Sequence, residues 1–337
     1  MFDFNDKKIN FDDVLIYPKA SRYNSRKEIE LDTKISFNKS RLSWNGVPIM
    51  ASNMDYVGTF AMGMQLQNYS ICNAVSKFYD KKEWVSAING GLNMEYNFLT
   101  FGLDDIKIID SYISYISSKT NNTPKYLVFD VPNGYIEKFK DVIKQTRKAF
   151  PQIGIIAGNV VTPEGVKSLI DAGSDGIKVG IGSGNVCNTT NVTGIGYPQL
   201  SAVIECSKEA KKHNSFIISD GGIKSSADIV KAFAGGAGFV MLGSMFSGHE
   251  EGGSPVTEIN HKKYRKLHGM SSTEAMNKHY GKVAEYRASE GESILVEDKG
   301  TVVNTVNQIL GGIRSACTYL DAKNIGELGH KSDFIFV

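Results

Sequence analysis

Short runs of apolar residues recur along the 337-residue chain, and segments with helical periodicity separate them. Most runs are continuous rather than alternating, which is typical of strands covered on both faces. Eight such strands alternating with helices predict an α/β fold of the (β/α)8 TIM-barrel class. The predicted strands lie at residues 47–54, 71–77, 97–103, 126–131, 153–160, 176–181, 215–220 and 238–246.

Local signals mark where the intervening helices begin and end. Residues 135–150 place apolar side chains near one helical face and charged ones largely opposite. Thr162 offers an N-cap hydroxyl before Pro163, and Gly173 is a typical C-terminal stop. A doubly wound sheet is the alternative fold, but residues 51–55 after the first strand do not form a G-x-G-x-x-G loop.

Two segments lie outside a minimal barrel. About 45 residues precede the first strand, and the alternating stretch at 28–35 predicts a hairpin plug. Residues 247–300 form a long polar segment, which is typical of a mobile lid that covers the catalytic face. A disordered linker is the alternative, although segments 268–272 and 284–291 are dense in functional groups. We expect one catalytic domain, residues 1–337, that contains this lid.

Composition and charge are those of an ordinary globular protein, with 41% hydrophobic residues, 22% charged residues and a net charge of +2. This balance gives no reason to expect nucleic acid or a membrane as partner. The four cysteines are scattered without a C-x-x-C pair, which indicates a reducing compartment and argues against a zinc site. We find no signal peptide and no apolar stretch of membrane-spanning length, so we expect a cytoplasmic protein.

The glycine-rich loop after the sixth predicted strand is the first candidate for chemistry. It contains Cys187, and Thr189 two residues later is placed to relay a proton. A nucleophile at the carboxyl end of a barrel strand lies where such folds keep their active sites. The alternative is that Cys187 is a small buried hydrophobic residue, as free cysteines often are.

The ends of the seventh and eighth predicted strands form a candidate phosphate site. Amides exposed by the glycines would bind a phosphate group, and the Asp220 carboxylate would accept a hydrogen bond from a sugar hydroxyl. Each glycine pair could also be a simple tight turn. The residues concerned are Ser219, Asp220, Gly221, Gly222, Gly243 and Ser244.

Further charged residues complete the candidate site. Glu290 would share a proton with Thr189 if the lid folds over the thiol, and it is otherwise a surface glutamate. Arg287 would pair with a phosphate or a base, and Lys77 would face the ligand from the end of the second strand.

These motifs together resemble the IMP dehydrogenase/GMP reductase family, from about residue 11 to the end of the chain. The lid pattern and the segment 309–315 resemble its GMP reductase branch in particular. The segments that carry the resemblance are the Cys187 loop, 193–199, 219–222, 241–243, 269–272, 285–291 and 309–315.

Two features separate the chain from the IMP dehydrogenase branch. No regulatory module interrupts the barrel after the third strand, and the lid lacks the Arg-Tyr pair that activates water in those enzymes. An IMP dehydrogenase without its regulatory module is therefore a less favoured alternative. A non-catalytic purine-nucleotide-binding barrel is less favoured too, because binding alone needs none of the chemistry of Cys187, Thr189 and Glu290.

The resemblance implies that the protein uses NADPH to reduce GMP to IMP and ammonia. In that reaction Cys187 attacks C2 of the purine and forms a covalent thioimidate, while Thr189 and Glu290 shuttle the proton that the leaving ammonia needs. A K+ ion would lie on the backbone carbonyls of Gly182, Gly184 and Cys187.

The resemblance also implies which residues bind the ligands. Those for the substrate would be Ser219, Asp220, Gly221, Gly222, Gly243, Ser244, Gly269, Met270, Ser271, Arg287, Ala288, Ser289 and Gly291. Those for NADPH would be Ser25, Arg26, Lys77, Asp130, Val131, Pro132, Ile181, Gly182, Met270, Tyr286, Ser315, Ala316, Cys317 and Thr318. The residues at 25–26 and 315–318 would reach the cofactor of a neighbouring subunit, which implies a homotetramer.

The chain departs from the family pattern at four positions. Thr190 stands where an arginine that helps to close the cation site is usual, which puts K+ dependence in question. Ser183 replaces a proline in the Cys187 loop, so this loop would be less rigid. Ser244 replaces a glycine, and Pro132 replaces an alanine. None of these changes removes a reacting group.

Overall fold

The computed structural model describes residues 7–281 and 288–337. Within them, eight consecutive parallel strands form a closed barrel, because the last of the eight pairs with the first as well as with its predecessor. The predicted (β/α)8 class is confirmed. The strands are β1 (Val14–Ile16), β2 (Thr33–Phe37), β3 (Leu42–Ala51), β4 (Ile71–Val75), β5 (Asn97–Phe101), β6 (Tyr126–Asp130), β7 (Gly154–Val160), β8 (Gly176–Val179), β9 (Phe216–Asp220), β10 (Phe239–Leu242), β11 (Val256–Ile259), β12 (Lys262–His268), β13 (Ser293–Glu297) and β14 (Phe334–Phe336), of which β3 to β10 form the barrel.

Helices follow the barrel strands as the alternating pattern predicts. The Thr162 hydroxyl accepts a hydrogen bond from the Gly165 amide at 3.2 Å, and Gly173 ends the same helix with a left-handed φ of 116°. Both signals were readable in the sequence. The helices are α1 (Phe60–Leu66), α2 (Lys81–Asn89), α3 (Ile106–Thr120), α4 (Glu137–Ala149), α5 (Pro163–Ala172), α6 (Thr189–Thr193), α7 (Gln199–Lys212), α8 (Ser226–Ala234), α9 (Thr273–Tyr280), α10 (Val303–Tyr319) and α11 (Leu328–Lys331).

An aromatic cluster fills the amino-terminal end of the barrel. Strand β2 pairs antiparallel with the start of β3, and this hairpin brings Phe37 and Trp44 into the cluster. The Phe37 ring lies 4.9 Å from that of Tyr126, and the Trp44 ring lies 4.9 Å from that of Phe239. The predicted plug therefore exists: β2 overlaps the alternating stretch 28–35, and the turn of the hairpin lies between residues 37 and 42.

The ends of two predicted strands needed correction. The first barrel strand begins at Leu42 rather than at residue 47 and ends at Ala51. The eighth ends at Leu242, because residues 244–246 form a 3-10 turn instead of continuing the strand. The other barrel strands lie within one to two residues of their predicted ends.

The described part of segment 247–300, which we call the lid segment, folds into regular structure. Strands β11, β12 and β13 form a three-stranded antiparallel sheet, and α9 lies between the last two. The alternative of a disordered linker is wrong for the described part of this segment. Strand β11 is exposed throughout and β13 nearly so, which leaves this sheet little apolar core of its own.

No helix in the described part of the chain is both long enough and apolar enough to span a lipid bilayer.

The aromatic cluster yields a stability prediction. Trp44 is fully buried, so Trp44→Ala leaves a cavity and should lower the free energy of unfolding by about 3–5 kcal/mol. Tyr17, which is 57% exposed, provides the control Tyr17→Ala, with an expected change below about 1 kcal/mol. Urea unfolding followed by circular dichroism measures both, and equal losses in the two variants would contradict the packing role of Trp44.

Candidate active site

The loop that carries Cys187 leaves the barrel at the carboxyl end of β8. Gly180 has a φ of 155° and lies so close to the carbonyl of Asp220 that any side chain would collide with it. Gly182 adopts a left-handed φ of 81°. These two glycines let the loop turn tightly over the end of the barrel.

Cys187 differs from the other three cysteines in its exposure. Cys72, Cys206 and Cys317 are buried, and burial raises the pKa of Cys206 and Cys317 to about 12. Cys187 is only partly buried in its loop. It is therefore the cysteine whose thiol a small molecule can reach, as the sequence predicted for a nucleophile.

A chain of hydrogen bonds leads from Cys187 to a carboxylate. The Cys187 thiol donates to the Thr189 hydroxyl oxygen at 3.3 Å, and the Thr189 hydroxyl donates to Glu290 Oε2 at 2.8 Å. Each of the two hydrogen bonds is donated toward Glu290, so a proton can pass from the Cys187 sulfur to the Glu290 carboxylate through the Thr189 hydroxyl. The three residues predicted to be catalytic are thus brought together.

Backbone contacts hold the lid segment against the Cys187 loop. The Asn188 amide donates to the Glu290 carbonyl at 2.7 Å, and the Glu292 amide donates to the Val186 carbonyl at 2.9 Å. Between them, Gly291 forms a β-bridge with Cys187. The position of the Glu290 carboxylate is therefore tied to the loop that carries the thiol.

The predicted phosphate residues lie at adjacent strand ends. Gly221 and Gly222, directly after β9, have φ values of 105° and 75°, which favour glycine. Gly243 and Ser244 follow β10, the neighbour of β9, and Asn185 of the Cys187 loop donates to the Ser244 hydroxyl at 2.8 Å. The candidate phosphate loops and the thiol loop thus share one face of the barrel.

Asp220 and Asp130 are linked through a buried lysine. The Lys178 ammonium forms an ion pair with Asp130 and a second with Asp220 at 3.2 Å, while Asn159 donates to Asp220 at 2.9 Å. Burial alone would raise the pKa of Asp130, but the Lys178 charge outweighs it and holds that pKa below its usual value. The Asp130 carboxylate is therefore an ionised acceptor at neutral pH.

Sequence reasoning missed one residue that organises this region. Gln199, the first residue of α7, donates to the Val179 carbonyl at 2.8 Å and accepts from the Ser183 hydroxyl at 2.8 Å. It thereby connects the end of β8 to the Cys187 loop. Its only sequence signal was its place at the end of the 193–199 motif, which named no role.

Most residues predicted to bind the cofactor fall into two separate regions. The first region lies at the carboxyl ends of β4 and β6. Asp130 is the last residue of β6 and is followed by Val131 and Pro132. Lys77 follows β4 and forms no ion pair within the described part of the chain. Ile181, Gly182 and Met270 lie in the Cys187 loop and the lid segment. Tyr286 and Arg287 lie outside the described residues.

The second region lies elsewhere on the surface. Ser25 caps a 3-10 turn that starts at Arg26 and packs against α10, which contains Ser315, Ala316 and Thr318. No described hydrogen bond or ion pair joins this surface to the Cys187 loop. Cys317, in the same helix, is fully buried.

The candidate cation site is a group of neutral oxygens. The Thr190 hydroxyl oxygen lies 3.4 Å from both the Gly182 and the Ile195 carbonyl oxygens, and the Gly184 carbonyl accepts from the Cys187 amide at 3.0 Å. Oxygens without carboxylate charge suit a monovalent cation better than a divalent one. The described residues contain no cluster of three or more histidine, cysteine or acidic side chains that could hold a metal ion.

Exposure leads to a test of which thiol reacts. We expect iodoacetamide to label Cys187 at least 10-fold faster than Cys206 or Cys317, because burial shields these two thiols and raises their pKa to about 12. Peptide mass spectrometry of the folded protein measures each site, and Cys187→Ala serves as the control that takes up no fast label. Comparable rates at Cys187 and Cys206 would contradict the assignment.

Comparison with known proteins gives a consistent result. The model of the IMP dehydrogenase / GMP reductase domain matches residues 105–337. A GMP reductase of Caenorhabditis elegans is 45% identical over 99% of this chain and 93% of its own length. The GMP reductases of Enterobacter sp. (strain 638) and Escherichia coli (strain K12 / DH10B) are 46% and 45% identical, each over 98% of this chain and 95% of their own length.

Proposed function

This chain belongs to the IMP dehydrogenase/GMP reductase family, and we propose that it is a GMP reductase, an NADPH-dependent oxidoreductase of purine nucleotide metabolism. The observation that supports this best is the relay from Cys187 through Thr189 to Glu290, which a protein that only binds nucleotides would not need. The overall reaction is GMP + NADPH + H+ → IMP + NH3 + NADP+.

The first half of the reaction uses the relay to make a covalent bond. Cys187 adds to C2 of the purine, and its proton passes through the Thr189 hydroxyl to Glu290. Glu290 then returns that proton to the 2-amino group, which leaves as ammonia and not as the far poorer amide leaving group. The product is a thioimidate between Cys187 and C2.

The second half restores the enzyme. NADPH, when bound, supplies the hydride that takes the place of the amino group at C2. The C2–sulfur bond then breaks, Cys187 leaves as thiolate, and a proton from solvent regenerates the thiol. The partly buried position of Cys187 under the lid segment limits the access of water that would otherwise attack the thioimidate.

The substrate is held at the ends of β9 and β10. The Asp220 carboxylate, held in place by its ion pair with Lys178, accepts hydrogen bonds from ribose hydroxyls. Backbone amides near Gly221, Gly222 and Gly243 bind the 5′-phosphate. The remaining substrate contacts are Ser219, Ser244, Gly269, Met270, Ser271, Arg287, Ala288, Ser289 and Gly291.

NADPH binds across the carboxyl ends of β4 and β6. The Lys77 ammonium, without an ion pair among the described residues, is available to a cofactor phosphate, and Asp130 to a ribose. The surface of Ser25, Arg26 and Ser315–Thr318 serves the cofactor of a neighbouring subunit, so the assembly is a homotetramer. The backbone carbonyls of Gly182, Gly184 and Cys187 would hold a K+ ion, and the protein acts in the cytoplasm.

The deciding experiment follows reduced nicotinamide absorbance at about 340 nm with GMP and NADPH, and measures IMP and ammonia. We expect GMP-dependent oxidation of NADPH and at least a 10³-fold loss in Cys187→Ala, because the nucleophile is absent. NADH formation from IMP and NAD+ without GMP reduction would instead favour an IMP dehydrogenase. GMP binding without turnover of either pair would favour a non-catalytic barrel.

The relay gives a second prediction. Glu290→Gln removes the proton acceptor and should lower kcat by about 10²- to 10⁴-fold, with a smaller effect on KM for GMP. Glu258→Gln changes an exposed glutamate of the same lid segment and should retain full activity. Steady-state kinetics on the three proteins measures both effects. Similar kcat values for the wild type and Glu290→Gln would rule out Glu290 as the proton carrier.

A further inference from the structure

One buried carboxylate outside the catalytic relay receives three donors on a single oxygen. Asp55 Oδ2 lies 3.0 Å from His268 Nε2, 3.0 Å from Lys278 Nζ and 2.7 Å from His279 Nε2. The Asp55 side chain is only 3% exposed. Burial would raise its pKa, but these hydrogen bonds outweigh burial and hold the pKa well below its usual range. Both imidazoles therefore donate from Nε2 to an ionised acceptor.

The three donors all belong to the lid segment, whereas Asp55 belongs to the barrel. Asp55 follows β3 at the carboxyl end of the barrel, where the active site lies. His268 is the last residue of β12, and Lys278 and His279 lie in the last turn of α9. We call these four residues the lid clamp, because one carboxylate fastens two lid elements to the barrel.

Ring contacts extend the clamp to the neighbouring barrel loop. The Phe78 ring stacks on His279 with centroids 3.4 Å apart, and the Tyr56 ring meets His268 edge to face at 5.0 Å. Phe78 directly follows Lys77, the proposed ligand of a cofactor phosphate. The loops after β3 and β4 thus both contact the lid segment through the clamp.

A short path connects the clamp to the catalytic carboxylate. Gly269, directly after His268, donates to the Glu292 carbonyl at 2.9 Å, and the Glu290 amide donates to the Ser271 carbonyl at 3.2 Å. Asp55 therefore holds, at His268, the start of the same segment whose residues 269 and 271 form backbone hydrogen bonds with residues 290 and 292. Because β11 and β13 are almost fully exposed, these polar contacts add to the burial of Leu267, Ala275 and Met276 in fixing the position of the lid segment.

From this geometry we infer that Asp55 is a positioning residue, which acts through His268 and His279 to hold Glu290 within reach of Thr189. The inference rests on the proposed function, because it assigns Asp55 a role in the same reaction. Its own chemistry is limited to accepting hydrogen bonds, and Asp55 transfers no proton to the substrate.

A double-mutant cycle tests the inference. Asp55→Asn weakens the clamp and should lower kcat by about 10- to 100-fold, since a displacement of about 1 Å has that effect on a proton-transfer group. In the Glu290→Gln background the same substitution should cost less than about 2-fold, because the group it positions is gone. Multiplicative losses in the double variant would overturn the inference, as would an unchanged kcat in Asp55→Asn.

Matched variants separate positioning from folding. Asp171→Asn removes the exposed ion pair to Lys167 and should leave kcat unchanged. His279→Leu should lower kcat several-fold, whereas His279→Gln, whose amide still donates, should retain most of it. Equal losses in His279→Leu and His279→Gln would contradict the donor role. Circular dichroism melting of each variant shows whether the barrel remains folded.

A readout without turnover distinguishes failure of this inference from failure of the proposed function. The rate of Cys187 alkylation by iodoacetamide, without nucleotides, should differ between wild type and Glu290→Gln, because Glu290 accepts the thiol proton. That difference should vanish in the Asp55→Asn background. If it vanishes while GMP is not reduced, the clamp stands and the function is wrong; if it persists while GMP is reduced, the function stands and the clamp is wrong.

Discussion

The hydrogen bond from Thr189 to Glu290 joins residues 101 positions apart, and the proposed chemistry depends on it. The barrel alone places Cys187 and Thr189, but no proton acceptor, at the end of β8. The lid segment alone carries Glu290 on a small sheet with little core. Their contact completes the chain of hydrogen bonds along which the proposed proton transfer from Cys187 to Glu290 would run. The site is therefore formed by tertiary contact and belongs to neither part alone.

Buried charged side chains stabilise both the barrel and the lid segment near the place where the two parts meet. Lys178 lies inside the barrel between Asp130 and Asp220, and Asp55 lies under the lid segment between three donors. Each buried charge has a partner, since an unpaired one would cost several kcal/mol. Lys178 holds the Asp220 carboxylate, which is the proposed acceptor for ribose hydroxyls. Asp55 holds the part of the lid segment that supports Glu290.

Sequence patterns predicted the barrel because its strands are buried on both faces and read as apolar runs without any partner being known. The same reasoning predicted a hairpin at 28–35 but not which residues fill the barrel, since Phe37 and Trp44 look like ordinary strand residues until the closed barrel gives them an interior to fill. Cys187, Thr189 and Glu290 were found through their motifs. Asp55 was not, because its role appears only when His268, 213 residues away, folds against it.

The aromatic contacts that stabilise the barrel and the residues proposed for catalysis lie at opposite ends of it. The amino-terminal end is filled by aromatic rings in mutual contact, whereas the carboxyl end is held by ionic and backbone hydrogen bonds. Apolar packing tolerates no gap and favours one rigid arrangement, while solvent-accessible polar contacts can be replaced by hydrogen bonds to water. A mobile lid, as the sequence predicts it, would open at the carboxyl end and leave intact the aromatic cluster that keeps the strands closed.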